Sequence, residues 1–160
     1  MVPDGILVVG YGSELRGDDA AGPAAARRLA EYGFSALDVH QLTPEIAERS
    51  AQARVVFFLD ADAGLAPGEV SRERIDGGAS APTLGHYATP AGLLQMARVA
   101  YGTAPEAWLI RMGCDRFEIG DGLSAEAERA VSRAVEEVLA YTHRDPCGRG
   151  SETQPADTEP

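Results

Sequence analysis

Residues 54–59 read RVVFFL, and no polar position interrupts the run after Arg54. A strand that is apolar at every position must be covered on both faces. Residues 5–10, GILVVG, form a second short apolar run of the same kind. Two such strands exclude a sandwich with one wet face per sheet and require helices above and below. The segments between them have the composition of those helices.

The helix signals are local. AAGPAAARRLAEYG at 20–33 predicts a helix that starts between Asp19 and Gly22. Pro23 fits only in its first turn, and Gly33 ends it. ALDVHQL at 36–42 predicts a second strand, and Pro44 opens a short helix through PEIAERSAQA. After RVVFFL, a turn at Ala66-Pro67-Gly68 leads into a strand over 69–75. That connection is too short for a crossover helix, so this strand is expected to be antiparallel to its neighbour or at an edge. Residues 76–87 read as a loop. Thr89 caps and Pro90 opens a helix with Leu93, Leu94, Ala97 and Tyr101 on its apolar face. EAWLIRM at 106–112 is a fifth strand. Ser124 caps a last helix with Ala127, Val131, Val135, Val138 and Leu139 inward. The alternation predicts an α/β domain: a three-layer α/β/α sandwich around a five-stranded, mostly parallel sheet with one antiparallel strand. One domain is expected over residues 1–142. Residues 143–160 hold no Ile, Leu, Val, Met or aromatic side chain and are expected to form a disordered tail.

Charge excludes whole classes of partner. With 25 acidic against 14 basic residues the formal net charge is −11, which repels polyanions and argues against nucleic acid. No apolar run approaches the length of a membrane helix. MVPDGILVVG lacks the basic region of a secretory signal, so a cytoplasmic location is expected. The cysteines, Cys114 and Cys147, are far apart and form no CxxC. Cys114 closes an apolar strand and is expected to be buried rather than nucleophilic.

Ligands of such sheets sit beyond the carboxyl ends of the strands. Asp19 follows the first strand and Asp60 the third, and His86 lies in the loop before the Thr89-capped helix. Two carboxylates and an imidazole form a partial shell for a borderline divalent metal such as nickel or zinc. Each has a plainer reading. Asp19 could cap the first helix, Asp60 could be a turn residue with Asp62 competing for its role, and His86 could be an exposed loop histidine. His40 is expected to pack on the second strand, and Asp18 to be solvated or to shape the turn. Gly10-x-Gly12 after a strand, with Asp38 further on, raises a dinucleotide site. Leu15 stands where the third glycine of that fingerprint belongs, and Asp18 and Asp19 would face the pyrophosphate, so a cation suits the turn better.

Five motifs in order resemble one family. GYGSELRGDDAAG (10–22), HQLTPEIAE (40–48), FFLDAD (57–62), HYATPAGLLQMARVAYG (86–102) and FEIGDGLSAEAERAV (117–131) are similar to segments of the NiFe-hydrogenase maturation endopeptidases, over about residues 5–141. Those proteases remove a C-terminal extension from the hydrogenase large-subunit precursor after nickel insertion. The resemblance implies that Asp19, Asp60 and His86 are the nickel-site ligands and the catalytic groups. It also implies that nickel arrives with the substrate, already held by the precursor, and that the glycines of the turn let backbone approach the substrate's C-terminal segment. A monomer is expected. Ser13 departs from the usual Asn, Ala20 from a frequent Gly, and Asp19 from the Glu of some members. Peptide cleavage is expected either through the metal, which polarises a carbonyl or acidifies a water, or through Asp19 or Asp60 as general base. The chain has no HExxH and no GxSxG. The alternative class is a nickel-binding assembly chaperone without activity, which would use the same three residues. Asp145-Pro146-Cys147 is similar to the Asp-Pro-Cys near the cleavage site of large subunits and is read as a coincidence of the tail.

Overall fold

The computed structural model describes residues 4–77, 89–120 and 122–144. The elements run β1 (Ile6–Tyr11), a 3-10 turn (Gly17–Ala20), α1 (Ala21–Glu31), β2 (Ser35–Val39), α2 (Glu45–Gln52), β3 (Val55–Asp62), β4 (Val70–Ile75), α3 (Pro90–Tyr101), β5 (Glu106–Gly113) and α4 (Ala125–Arg144). The five strands form one sheet in the order β2-β1-β3-β5-β4. All neighbours are parallel except β4, which pairs antiparallel with β5 at the edge. The short connection after β3 therefore has the consequence expected of it, and β4 is both antiparallel and terminal. Its Arg72, Glu73 and Arg74 put charge on an edge that would otherwise invite another strand.

The apolar runs are covered on both faces. Ile6, Val8, Phe57, Leu59, Ile110 and Met112 pack on one side against α1 and α4. Leu7, Val9, Val56 and Phe58 pack on the other against Ile46 and Ala47 of α2 and Leu93, Leu94 and Ala97 of α3. Phe57 and Phe58 are adjacent, fully buried and in opposite layers, as the period of a strand demands. Truncating either to Ala would cost about 3–5 kcal/mol. The layer of α1 and α4 is built from small residues: Ala21, Ala25 and Ala26 face Ala127, Ala130 and Ala134 in one cluster. Alanines there bring helix backbone close to the sheet. At the closest point, a Cβ on Gly10 would lie 2.0 Å from the Gly22 carbonyl, so both positions are restricted to glycine by packing.

The caps form as the sequence implies. Thr89 Oγ1 accepts from Gly92 N at 3.1 Å, with Pro90 in the first turn. Ser124 Oγ accepts from Ala127 N at 3.1 Å.

Four expectations need correction. β2 stops at Val39 instead of running to residue 42; the chain bends at His40 and drops Leu42 into the core without strand pairing. β3 continues through Asp62, because β5 is long enough to pair with Asp60, Ala61 and Asp62 in register. Tyr101 is 50% exposed, being the last residue of α3 before Gly102 turns the chain in the left-handed region (φ +76°). Finally, α4 runs on through His143 and Arg144, and His143 Nδ1 lies 2.8 Å from the Leu139 carbonyl oxygen. The remainder of the expected tail, with Cys147, lies outside the described residues. Among the described residues, no helix is long and apolar enough to cross a membrane.

Candidate active site

The sheet order places a switch point between β1 and β3. The chain leaves β1 through α1 toward β2, returns through α2 to β3, and the two helices lie on opposite faces. A crevice opens outside the carboxyl ends of strands at such a point. Asp19 and Asp60 are carried there, Asp19 by the 3-10 turn after β1 and Asp60 by the last part of β3.

The turn that carries Asp19 is held by its own backbone. Gly12 has φ +146°, and a Cβ there would lie 2.0 Å from the Asp19 carbonyl oxygen. Only glycine permits that approach. Asp19 Oδ2 accepts from Ser13 N at 2.7 Å, and Ser13 Oγ accepts from Leu15 N at 3.3 Å. Asp19 therefore reaches back to the turn and does not cap α1, whose first turn has no side-chain cap. Ser13, in the position where Asn was the resemblance's norm, supplies a backbone donor that any residue could supply. The glycines prove to be used within the chain: Gly10 approaches Gly22 and Gly12 approaches Asp19.

Asp60 is the perturbed group. Burial first, and the Asp19 and Asp62 charges after it, push its carboxyl up to about 6, against hydrogen bonds from Tyr11 and the Ala61 backbone that favour ionisation. The Tyr11 hydroxyl is pushed up in turn, by its own burial and then by the Asp60 charge. Asp60 and Arg111 are register partners, but the Arg111 guanidinium is drawn to Glu73 on the other side. The Asp19 and Asp60 carboxylates thus repel one another and, among the described residues, no cationic side chain is bonded to Asp60, an arrangement that a cation would relieve. Asp62 is accounted for separately, because its Oδ1 accepts from Gly64 N at 2.7 Å and shapes the turn after β3.

Of the two readings of Asp18, solvated or shaping the turn, the structure removes the first and supports the second. Asp18 is 0% exposed, and its carboxylate accepts from Ser124 N (2.8 Å), Ser124 Oγ (2.8 Å) and Arg116 N (3.2 Å). Burial works to raise its pKa, but the Ser124 and Arg116 bonds outweigh it and hold the carboxyl below the ordinary range. Asp18 therefore fixes the Asp19 turn to the start of α4 and to the loop after β5. Of the adjacent acids, Asp18 ties the turn to α4 and Asp19 is held within the turn by Ser13 N.

His86 lies outside the described residues, so two of the three sequence-derived site residues are seen at the same end of the sheet. Among the described residues, no group of three His, Cys, Asp or Glu side chains converges as a metal site. His40 is exposed and lies beyond the strand on which it was expected to pack. It lines a cleft of about 280 Å³ over the ends of β1 and β2, with Gly12, Leu15, Pro23, Arg27 and Val39. Asp38, the acid a ribose would need, accepts from Arg27 Nε at 2.8 Å. Cys114 is buried, and its thiol is pushed up to about 12 by burial and then by surrounding carboxylates, which leaves it inert. Sequence reasoning missed Tyr11, and the one available signal was a phenol at the end of an otherwise aliphatic strand.

No family model matches the sequence, and no curated protein does. Solved structures do. The [NiFe] hydrogenase maturation protease HybD from Thermococcus kodakarensis is 25% identical, with a TM-score of 0.68 over 85% of this chain and 97% of that one. A hydrogenase 2 maturation peptidase from Thaumarchaeota archaeon is 26% identical, with a TM-score of 0.63 over 85% of this chain and 96% of that one. The hydrogenase maturating endopeptidase HybD from E. coli shares the fold, with a TM-score of 0.70, 24% identity and coverage of 88% and 93%. The similarity extends over nearly the whole of each of these proteins, so this chain is similar in fold to [NiFe] hydrogenase maturation proteases and, at 25–26% identity, in sequence to two of them.

Proposed function

We propose that this chain is an endopeptidase that removes the C-terminal extension of a NiFe-hydrogenase large-subunit precursor after nickel insertion, acting in the cytoplasm as a monomer. The observation that carries the reading is the pair of acids at the switch point. Asp19 is fixed by Ser13, and Asp60 is raised to about 6 beside it, in a fold matched by hydrogenase maturation proteases. A nickel ion enters with the substrate, and Asp19, Asp60 and His86 are the groups that would meet it. Carboxylates and an imidazole suit a borderline divalent cation, and recognition of the ion makes nickel-free precursor a poor substrate. Asp60 is the favoured general base. A carboxylate with a pKa near 6 is largely ionised at neutral pH and is more basic than an ordinary aspartate. It would take a proton from the attacking water, and Tyr11 would hold its carboxylate in position.

Single substitutions Asp19→Asn, Asp60→Asn and His86→Ala test the assignment in a precursor-processing assay. Each is expected to lower the cleavage rate by about 100-fold or more, the range for loss of an acid–base group. Full cleavage by all three variants would refute it. A nickel-carrying chaperone would instead hold free nickel tightly without any precursor, and weak binding of nickel chloride in titration calorimetry is expected here.

A further inference from the structure

The α2 and α3 face of the sheet changes character from one row of side chains to the next. Val9, Phe58 and Leu109 stand side by side on β1, β3 and β5, and Glu73 of β4 ends that row at the sheet edge. Two residues further toward the carboxyl ends of the parallel strands, the same face carries Tyr11, Asp60, Arg111 and Ser71. The first row is apolar up to its edge; the second holds a phenol, a carboxylate, a guanidinium and a hydroxyl. Asp60 and Arg111 are opposite charges in register on adjacent strands, with side chains on one face. That is the placement in which a cross-strand ion pair forms.

The pair is not made. Arg111 Nη2 donates instead to Glu73 Oε1, along the diagonal to the edge strand. The guanidinium nonetheless stays near the site, because its charge acts on the Tyr11 hydroxyl in the sense opposite to that of Asp60. Asp60 has two further carboxylates acting on it, Asp19 and Asp62, so a cation in reach is strongly drawn to it. Arg111 thus has one carboxylate in the site and one at the edge, and it takes the edge. Both members of the edge pair are partly exposed, and exposed pairs contribute little to stability, so bracing β4 on β5 does not account for Glu73. What the pair does is hold a cation away from Asp60.

We infer that Glu73 is a positioning residue: by holding the Arg111 guanidinium at the sheet edge, it keeps Asp60 free of a cation of the chain's own. The consequence for cleavage rests on the proposed protease reading, in which a substrate-borne cation and an attacking water both need the Asp60 carboxylate. Arg111 seated on Asp60 would compete with both. It would also offset the repulsion between Asp19 and Asp60 that favours an incoming cation. Glu73 acts only through Arg111, so its removal matters while Arg111 is present and not otherwise.

The test uses the full chain and the variants Glu73→Ala, Arg111→Met and the double variant; methionine keeps an apolar stem and drops the charge. A crystal structure of Glu73→Ala is expected to show the Arg111 guanidinium within hydrogen-bond distance of the Asp60 carboxylate, with a melting temperature close to wild type. With a nickel-loaded large-subunit precursor, Glu73→Ala should cut about tenfold more slowly, the cost of displacing one charge-assisted bond. Arg111→Met and the double variant should both cut within a factor of about three of wild type. That rescue separates the role from a structural one, which a second substitution would not repair. Arg111 bonded anywhere but Asp60 in the Glu73→Ala structure, Asp62 included, overturns the inference. So does unchanged cleavage by Glu73→Ala, or a double variant as slow as the single one, with the protease reading left intact. A wild-type chain that never cuts overturns the protease reading instead, and the position of Arg111 in Glu73→Ala still decides what Glu73 does.

Discussion

Asp18→Ala removes a side chain that no solvent reaches, so its cost can be worked from its bonds. Three donors converge on the carboxylate: Ser124 N, Ser124 Oγ and Arg116 N. Leaving a buried donor unsatisfied costs about 1–3 kcal/mol each. The hydroxyl can turn elsewhere, and removing a buried charge returns part of its burial cost. The net loss is about 3 kcal/mol, or roughly 6–12 °C in Tm for a chain of this size. Asp18→Asn keeps an acceptor but sets an amide donor against another donor, and should lose about 1–2 kcal/mol. The pH dependence has a definite sign. Hydrogen bonds hold the folded pKa of Asp18 below its unfolded value, so its contribution is complete above the unfolded pKa and vanishes as pH falls through the folded one. Thermal unfolding followed by circular dichroism at pH 7 and in a descending acid series is the assay. The gap between wild type and Asp18→Ala should be widest at pH 7 and close in acid. An alanine variant that melts with wild type at pH 7, or a gap that widens in acid, would refute the anchoring role.

Asp60→Asn should do the reverse at the same end of the sheet. Its carboxyl is raised to about 6, so ionisation at pH 7 costs stability that a neutral amide avoids. The variant should gain roughly 1–2 kcal/mol at pH 7–8 while cleavage is lost, the exchange expected where a site is strained for function. In wild type, cleavage should decline as pH falls through about 6, because the base is then protonated; a flat profile from pH 8 to 5 would remove Asp60 from that role. Gly12→Ala would put a methyl 2.0 Å from the Asp19 carbonyl oxygen, so the turn must open. A loss of about 3 kcal/mol or more in urea melts, with cleavage abolished, is expected, and unchanged melts would refute the close approach.

Much of the architecture was legible because period and punctuation agreed. RVVFFL and ILVV had to be central strands, Thr89-Pro90 and Ser124 marked helix starts, and the short link after β3 forced an antiparallel edge. Strand ends were harder to read, since they depend on partners. β3 extends through Asp62 only because β5 continues beside it, and β2 ends at Val39 because the chain bends there. The acidic pair shows the limit for the site. Asp18 and Asp19 are chemically identical neighbours in the sequence, and which one is buried depends on Ser124 and Arg116, about a hundred residues away. Reading both acids at the carboxyl ends of β1 and β3 put Asp19 and Asp60 near one another, close enough for the Asp19 charge to act on Asp60, although Asp60 lies within β3 and not beyond it. Tyr11 escaped notice because its role follows from the burial of Asp60 and not from any spacing.

The central claim is tested most directly by mass spectrometry of the C-terminus of a NiFe-hydrogenase large-subunit precursor incubated with this protein, with and without prior nickel loading. The account predicts loss of one discrete C-terminal peptide from the nickel-loaded precursor only, and no such loss with Asp60→Asn. An intact C-terminus in both preparations, alongside tight binding of free nickel or of the precursor, would contradict it and favour the chaperone.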